Sequence, residues 1–153
     1  MKIYIDADAC PNAAKEVLFK TSKRLNIELI LVSNRSVRAP EGDHVKCIIV
    51  EKAADAADDK IVELLEAGDL VITSDILLAA RIVKKSAFAL NSHGQLFDDD
   101  NIGSRLAVRN LLEDLRNSGI QTSWSAPYNA KNKADFANAL NRFITKRNIG
   151  SKK

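Results

Sequence analysis

Short, almost continuous apolar runs alternate along the chain with segments in which apolar residues recur every three or four positions. The runs are typical of strands buried on both faces of a parallel sheet, and the spacing is that of amphipathic helices. Strands are predicted at residues 3–5, 27–32, 45–50, 69–73 and 87–90, and helices at 12–25, 54–67, 76–85, 102–117 and 133–147. The strand–helix–strand order predicts an α/β fold with right-handed crossovers, in which a mainly parallel sheet of four to five strands has helices on both faces.

Length and composition predict one globular domain. The chain has 153 residues, enough to bury a core, with 46% hydrophobic and 28% charged residues. We predict a single domain over residues 1–148 and a basic, disordered tail over residues 149–153. No apolar stretch approaches the roughly 20 residues of a membrane span, so we expect no membrane association. Two distant cysteines outside any metal-binding pattern predict a cytoplasmic protein with reduced thiols.

The first eleven residues, MKIYIDADACP, place two carboxylates directly after the first predicted strand. In open α/β sheets, ligands bind at the carboxyl ends of the strands. Asp6 and Asp8 therefore stand where a hard cation such as Mg²⁺ or Mn²⁺, which prefers oxygen ligands, would bind. The alternative is that one of the two aspartates caps the helix that follows Pro11.

Three further acids are candidates for the same pocket. Asp75 follows the fourth predicted strand, as Asp6 follows the first. Asp58 lies three and four residues before Ile61 and Val62, which directs it along the buried stripe of its helix, and Asp55 lies one turn earlier. A carboxylate on a core-facing stripe is costly unless it is paired or binds a metal. The alternative is that acids in a first helical turn interact favourably with the helix dipole.

If the first and fourth strands are neighbours, these acids converge. Several close carboxylates stay ionised only with a cation, and one or two divalent ions would also clamp a phosphodiester and activate water. Asp6, Asp8, Asp58 and Asp75 are the predicted catalytic residues, and the same four with Asp55 are the predicted metal ligands. Hydrogen bonds to substrate or metal-bound water are expected from Asn34, Thr73 and Ser74, and phosphate contacts from Lys15, Arg105 and Arg109.

Charge and the remaining chemistry narrow the choice of partner. Residues 129–153 carry seven Lys or Arg against one Asp, whereas residues 1–128 are net acidic. This basic end would suit a phosphate backbone such as RNA or another nucleic acid, or would simply aid solubility. The spacing of Arg105 and Arg109 is equally that of a solvated helix face. The two histidines lie in turns, and no Gly-rich phosphate loop is present. Cys10, at a helix start, is either a thiol nucleophile or a packing residue.

Five stretches carry a family resemblance: DADACP, ADDKIVELLEAGDLVITSDILLA, ALNSHGQLF, RLAVRNLLEDLRNSGI and FANALNRF. On these motifs the chain is identified as a member of the YaiI/YqxD family of uncharacterised bacterial cytoplasmic proteins. The family resembles PIN-like domains, three-layer α/β folds whose better-known members are metal-dependent ribonucleases. The resemblance assigns the first-strand acid to Asp6 with Asp8, the helix-start acid to Asp58 and the later strand-end acid to Asp75. The usual PIN pattern has a single acid where this chain has DADACP.

The leading hypothesis is a Mg²⁺- or Mn²⁺-dependent nuclease that hydrolyses RNA in preference to DNA. A first alternative is a small-molecule phosphohydrolase, because residues 3–8 resemble the haloacid-dehalogenase signature in which the first Asp is the nucleophile. Here, however, Asp8 is followed by Ala-Cys and not by Gly-Thr. A second alternative is a binding or regulatory module whose acids hold a structural ion or none.

Overall fold

The structure is a computed structural model that describes residues 1–36, 39–40, 42, 44–53, 55–121 and 127–151, with backbone alone for residues 148–151. Within these residues no helix is long and apolar enough to cross a membrane. In chain order the elements are β1 (Lys2–Asp6), α1 (Asn12–Leu25), β2 (Glu28–Ser33), β3 (Val45–Ile49), α2 (Ala56–Leu64), β4 (Leu70–Ile72), α3 (Ile76–Lys84), β5 (Phe88–Leu90), β6 (Leu96–Phe97), α4 (Ile102–Asn117) and α5 (Ala130–Ser151).

One six-stranded sheet in the order β3-β2-β1-β4-β5-β6 organises the domain. All neighbouring strands are parallel except β5 and β6. The predicted α/β class and the predicted proximity of the first and fourth strands are confirmed, since β1 pairs with both β2 and β4. The prediction of four to five strands misses β6, because two residues are too few to show a periodicity.

Alternate side chains of the central strands enter two separate cores. Ile3 and Ile5 of β1 face α1 and α5, whereas Tyr4 faces α2 and α3. Burying both faces explains why the strands read as continuous apolar runs. The result is a three-layer α/β architecture. The largest fully buried side chains come from both cores: Tyr4, Phe136, Ile3, Ile5, Leu18, Leu29, Leu31, Ile61, Leu70, Ile72, Leu78 and Ile82.

Helix bounds depart from the predicted ones where tertiary contacts decide them. α2 ends at Leu64 and not at residue 67, because the carboxylate of Asp69 accepts hydrogen bonds from the backbone N–H groups of Glu66 and Lys2 and ties this turn to β1. α5 begins three residues before the predicted start and continues to Ser151, into the predicted tail. Of that tail, residues 152–153 lie outside the described residues, as do residues 122–126 of the preceding connection.

α4 packs on the domain through a mixed face, with Ile102 against the core and Arg105 over Phe97. None of its residues, all of which the structure describes, is buried, and the side chains of Val108 and Leu111 are 55% and 58% exposed. The guanidinium of Arg105 lies 5.9 Å from the ring centroid of Phe97, and Arg109 is 3.7 Å from Glu113. Arg105 and Arg109 are both half-buried, so they lie at the border between the packed and the solvated side of this helix.

A rigid turn over residues 91–95 joins β5 to β6 and contacts α5. The side-chain oxygen of Asn91 accepts from the backbone N–H groups of His93 and Gln95. Gly94 has φ +88°, and a Cβ there would lie 2.8 Å from the backbone oxygen of Asp135 in α5. Only glycine combines this backbone conformation with so close an approach of the helix.

We therefore expect Gly94→Ala to lower the free energy of unfolding by about 2–4 kcal/mol, from left-handed strain and a backbone clash together. Gly103→Ala is the matched control. Gly103 lies in α4, where an added Cβ would meet no atom within 4 Å beyond its own helical backbone, so alanine should stabilise by up to about 1 kcal/mol. Urea denaturation of both variants measures the difference, and equal stabilities would contradict the packing of α5 on this turn.

Candidate active site at the carboxyl edge of the sheet

The carboxyl ends of β1 and β4 bring three aspartates together. Asp6 is the last residue of β1, Asp75 directly precedes α3 after β4, and Asp58 lies in the first turn of α2. Asp6 and Asp75 both act on the pKa of Asp58, and Asp75 acts on that of Asp6. The three acids are thus close enough for their charges to interact.

The pKa of the Asp6 carboxyl lies above its ordinary value. Burial at the end of the central strand is the largest cause, and the negative charges of Asp8 and Asp75 add to it. Removing a carboxylate from water and placing it beside like charges both disfavour ionisation. Asp6 is therefore held in an environment that a cation would relieve.

Asp58 has the most perturbed carboxyl of the cluster. Burial raises its pKa to about 6, and the charges of Asp6, Asp75 and Asp55 act in the same direction. The nearby Arg81 opposes this rise, although its guanidinium is paired at 2.9 Å with the exposed Asp59. Sequence reasoning missed Arg81, whose approach depends on the packing of α3 against α2.

Asp8 differs because both of its oxygens already have protein partners. Oδ1 accepts from the Ser33 hydroxyl at 2.7 Å, Oδ2 accepts from the Asn34 N–H at 2.9 Å, and Arg35 lies 3.7 Å away. Burial acts to raise the pKa of Asp8, but these hydrogen bonds and the charges of Arg35 and Lys15 hold it below its ordinary value. Asp8 thus ties the end of β1 to the end of β2.

The sequence raised the alternative that Asp6 or Asp8 caps the helix after Pro11, but the aspartate that caps a helix is Asp75. The N-cap of α1 is Pro11, with no side-chain cap, so neither Asp6 nor Asp8 caps that helix. Asp75 does cap α3, since its Oδ1 accepts from the backbone N–H groups of Leu77 and Leu78. Its other oxygen has no hydrogen-bond partner among the described residues, which leaves one donor atom for a ligand.

A narrow cleft of about 10 Å³ lies beside Asp6, with room for about one water molecule. The buried Thr73 accepts from the backbone N–H of Asp75 at 3.1 Å and so helps to position that acid. Burial raises the pKa of the Cys10 thiol to about 12, which favours packing over a nucleophilic role. The lining residues are Asp6, Ala9, Cys10, Ile72, Thr73, Ser74 and Ser92. Ser92 was not predicted, although it follows the carboxyl end of β5 as Ser74 follows that of β4.

The remaining predicted residues are distributed unevenly. The charge of Lys15 acts on both Asp8 and Cys10, which places this lysine beside the site. Asn34 contributes its backbone N–H to Asp8, and Asp55 is exposed at the start of α2. Arg105 and Arg109 are engaged on α4 with Phe97 and with Glu113, as described above.

The carboxylate oxygens of this site are the kind of ligand that a hard cation prefers, but they do not form a closed metal site. Among the described residues, no three His, Cys, Asp or Glu side chains are arranged to ligate one ion. Mg²⁺ usually keeps several waters and takes one or two carboxylates together with substrate phosphate. Asp6 and Asp58, whose ionised forms are disfavoured by burial and by neighbouring acids, meet that requirement.

Comparisons with known proteins give a family without an activity. A family model described as uncharacterized, YaiI/YqxD family, matches residues 4–146. A UPF0178 protein of Sulfurimonas denitrificans is 47% identical over 146 residues, which cover 95% of this chain and 97% of the relative. A UPF0178 protein of Syntrophotalea carbinolica is 46% identical over 95% of this chain and 99% of its own length. No solved structure matches the chain.

We expect Asp58→Asn to stabilise the metal-free protein at neutral pH. The carboxyl has a pKa near 6 when folded against 3.8 ordinarily, so folding loses stability as pH rises from about 4 to above 6. The amide cannot ionise and escapes this penalty. Urea denaturation in EDTA at about pH 7.5 and about pH 4 should therefore show a gain that disappears at the lower pH.

Asp59→Asn is the control, because Asp59 is the next residue on α2 and its exposed pair with Arg81 contributes at most about 1 kcal/mol. It should give no gain at either pH. If both variants behaved alike, the repulsion among Asp6, Asp58 and Asp75 would not be a cost to folding.

Proposed function

The chain belongs to the uncharacterised YaiI/YqxD family, and we propose that it is a Mg²⁺- or Mn²⁺-dependent phosphodiesterase that cleaves nucleic acid, RNA in preference to DNA. The observation that supports this is the group of three electrostatically coupled carboxylates, Asp6, Asp58 and Asp75, at the carboxyl edge of β1 and β4. Ligand sites of open α/β sheets lie at this edge. The family match confirms the resemblance of the sequence motifs to the YaiI/YqxD family.

Each residue of the cluster has a definite part in the proposed reaction. Asp6 and Asp58 would hold the ion together with its waters, and the free oxygen of Asp75 would add negative charge beside it; the ion would supply a polarised phosphate and an activated water. Thr73 keeps Asp75 in place by accepting from its backbone N–H. The hydroxyls of Ser74 and Ser92 line the cleft beside Asp6 and are donors for a phosphate oxygen.

A lysine beside the acids and a basic stretch later in the sequence support a phosphate-bearing substrate. Lys15 lies close enough to Asp8 to lower its pKa, and residues 129–153 carry seven basic residues against one acid. Positive charge of this kind attracts the phosphate backbone irrespective of base sequence. The preference for RNA follows from the resemblance to PIN-like ribonucleases, to which the proposal extends.

Asp6→Asn and Asp75→Asn should each reduce Mn²⁺-dependent cleavage of single-stranded RNA at least about 100-fold, since each removes charge that holds the ion. Asparagine is an effective N-cap, so Asp75→Asn should leave α3 intact. Cleavage of a labelled oligoribonucleotide, with and without EDTA, measures the effect. Asp59→Asn, which removes a carboxylate outside the cluster, should retain full activity.

The double variant Asp6→Asn/Asp75→Asn separates the protein's own activity from contamination. It should show no metal-dependent cleavage. If it cleaved RNA as fast as the unaltered protein, the activity would belong to a contaminating nuclease and the proposal would fail.

A non-catalytic binding module is the second candidate, favoured by the lack of a three-residue ligand group among the described residues. Calorimetric titration with Mn²⁺ distinguishes the two, because binding lost in Asp6→Asn without any cleavage would favour the module. The haloacid-dehalogenase alternative has less support, since Asp8 is held by Ser33, Asn34 and Arg35 and does not stand beside Asp6 as a second free acid.

A further inference from the structure

A groove of about 270 Å³ lies between the β5–β6 turn and α5, on the side of the sheet that α5 covers. Its floor is apolar and is formed by Leu96 of β6 with Ala139 and Phe143 of α5. Gly94 closes one end, and Arg142 and Lys146 form the rim. Sequence reasoning did not predict this groove, because its walls come from separate parts of the chain.

The two cations at the rim are available to an external anion. Arg142 and Lys146 lie one helical turn apart and are exposed, and neither forms an ion pair with any residue in the described part of the chain. Lysines nearer the start of α5 are paired, as Lys131 is with Asp135 at 2.9 Å. Two exposed cations above an apolar floor are complementary to an anion with a flat, apolar body, such as a nucleotide.

The turn over residues 91–95 contributes one residue to the candidate active site and another to the groove. Ser92 lines the cleft beside Asp6, and Gly94, two residues later, lines the groove. Two residues span at most about 7 Å of chain. The Tyr128 hydroxyl donates to the Ser92 carbonyl at 2.7 Å and holds the turn in place. His93, the residue between Ser92 and Gly94 in this turn, has an exposed ring whose centroid lies 5.6 Å from that of Tyr128.

We propose that the groove binds the nucleotide next to the scissile phosphate of a single-stranded nucleic acid. The base lies against Leu96 and Phe143, and its phosphate contacts Arg142 and Lys146. The exposed ring of His93 offers a stacking surface for a base. A single strand is required because a paired base is not free to enter the groove. The reference to a scissile phosphate rests on the proposed function, whereas the binding itself does not.

The test is fluorescence anisotropy of a labelled single-stranded oligoribonucleotide with the full chain in EDTA, where cleavage cannot occur. Arg142→Ala/Lys146→Ala should weaken binding at least about tenfold and reduce the slope of log Kd against log salt by about 0.7, as the loss of one neutralised phosphate predicts for a single strand. Uridine monophosphate should compete more effectively than ribose 5-phosphate or inorganic phosphate, because only the nucleotide fills the apolar floor.

Lys84→Ala/Arg116→Ala is the charge-matched control, since these residues lie on α3 and α4, helices outside the α1 and α5 layer. This control should bind like the unaltered protein. Equal weakening by both double variants, or equal binding of duplex and single strand, would overturn the proposal. Either result would mean that the oligonucleotide binds through nonspecific charge attraction and not in the groove. Preferential binding of anionic vesicles would overturn it too.

Measuring cleavage in the same variants separates this inference from the proposed function. Loss of affinity in Arg142→Ala/Lys146→Ala from a protein that never cleaves RNA would support the groove and reject the nuclease. Metal-dependent cleavage with unchanged affinity in that variant would support the nuclease and reject the groove.

Discussion

Placing several carboxylates at the end of a buried strand has an electrostatic cost, and this cost is the main physical constraint on the candidate site. β1 lies between β2 and β4 and is covered on both faces, so its last residue, Asp6, enters a region of low dielectric. Asp58 and Asp75 come to the same edge, and burial together with mutual repulsion raises the pKa of Asp58 to about 6. A fold that retains such an arrangement gives up stability at a site, as functional sites commonly do.

The acids at this edge fall into three groups according to their partners. Both carboxylate oxygens of Asp8 accept hydrogen bonds, one from Ser33 and one from Asn34, and Arg35 lies alongside. Only one oxygen of Asp75 accepts hydrogen bonds from the described residues, and it caps α3. Asp6 and Asp58 gain little from the protein and lose solvation. The same residue type therefore serves as a strand tether, serves as a helix cap, or is left without a protein donor in the part of the chain that the structure describes, depending only on the groups nearby.

The turn over residues 91–95 leads from this site to the groove lined by Arg142 and Lys146. Asn91 fixes the turn from within, and Tyr128 fixes it from the segment before α5. Gly94 permits α5 to pack within contact distance of the turn backbone. The acidic cleft and the groove lined by Arg142 and Lys146 thus each take one lining residue from the same hydrogen-bonded turn.

The order of elements, the parallel sheet and most of the site could be predicted from the sequence. Periodicity reports which face of an element is buried, and the acids after β1 and β4 follow directly from where apolar runs stop. The role of Asp8 could not be predicted, because its donors come from the end of β2, a different part of the chain. β6 was too short to show a pattern. Local sequence determined which residues are available at the carboxyl edge, whereas only tertiary packing decided which of them are paired, because hydrogen-bond donors and neighbouring charges are supplied by segments distant in the chain.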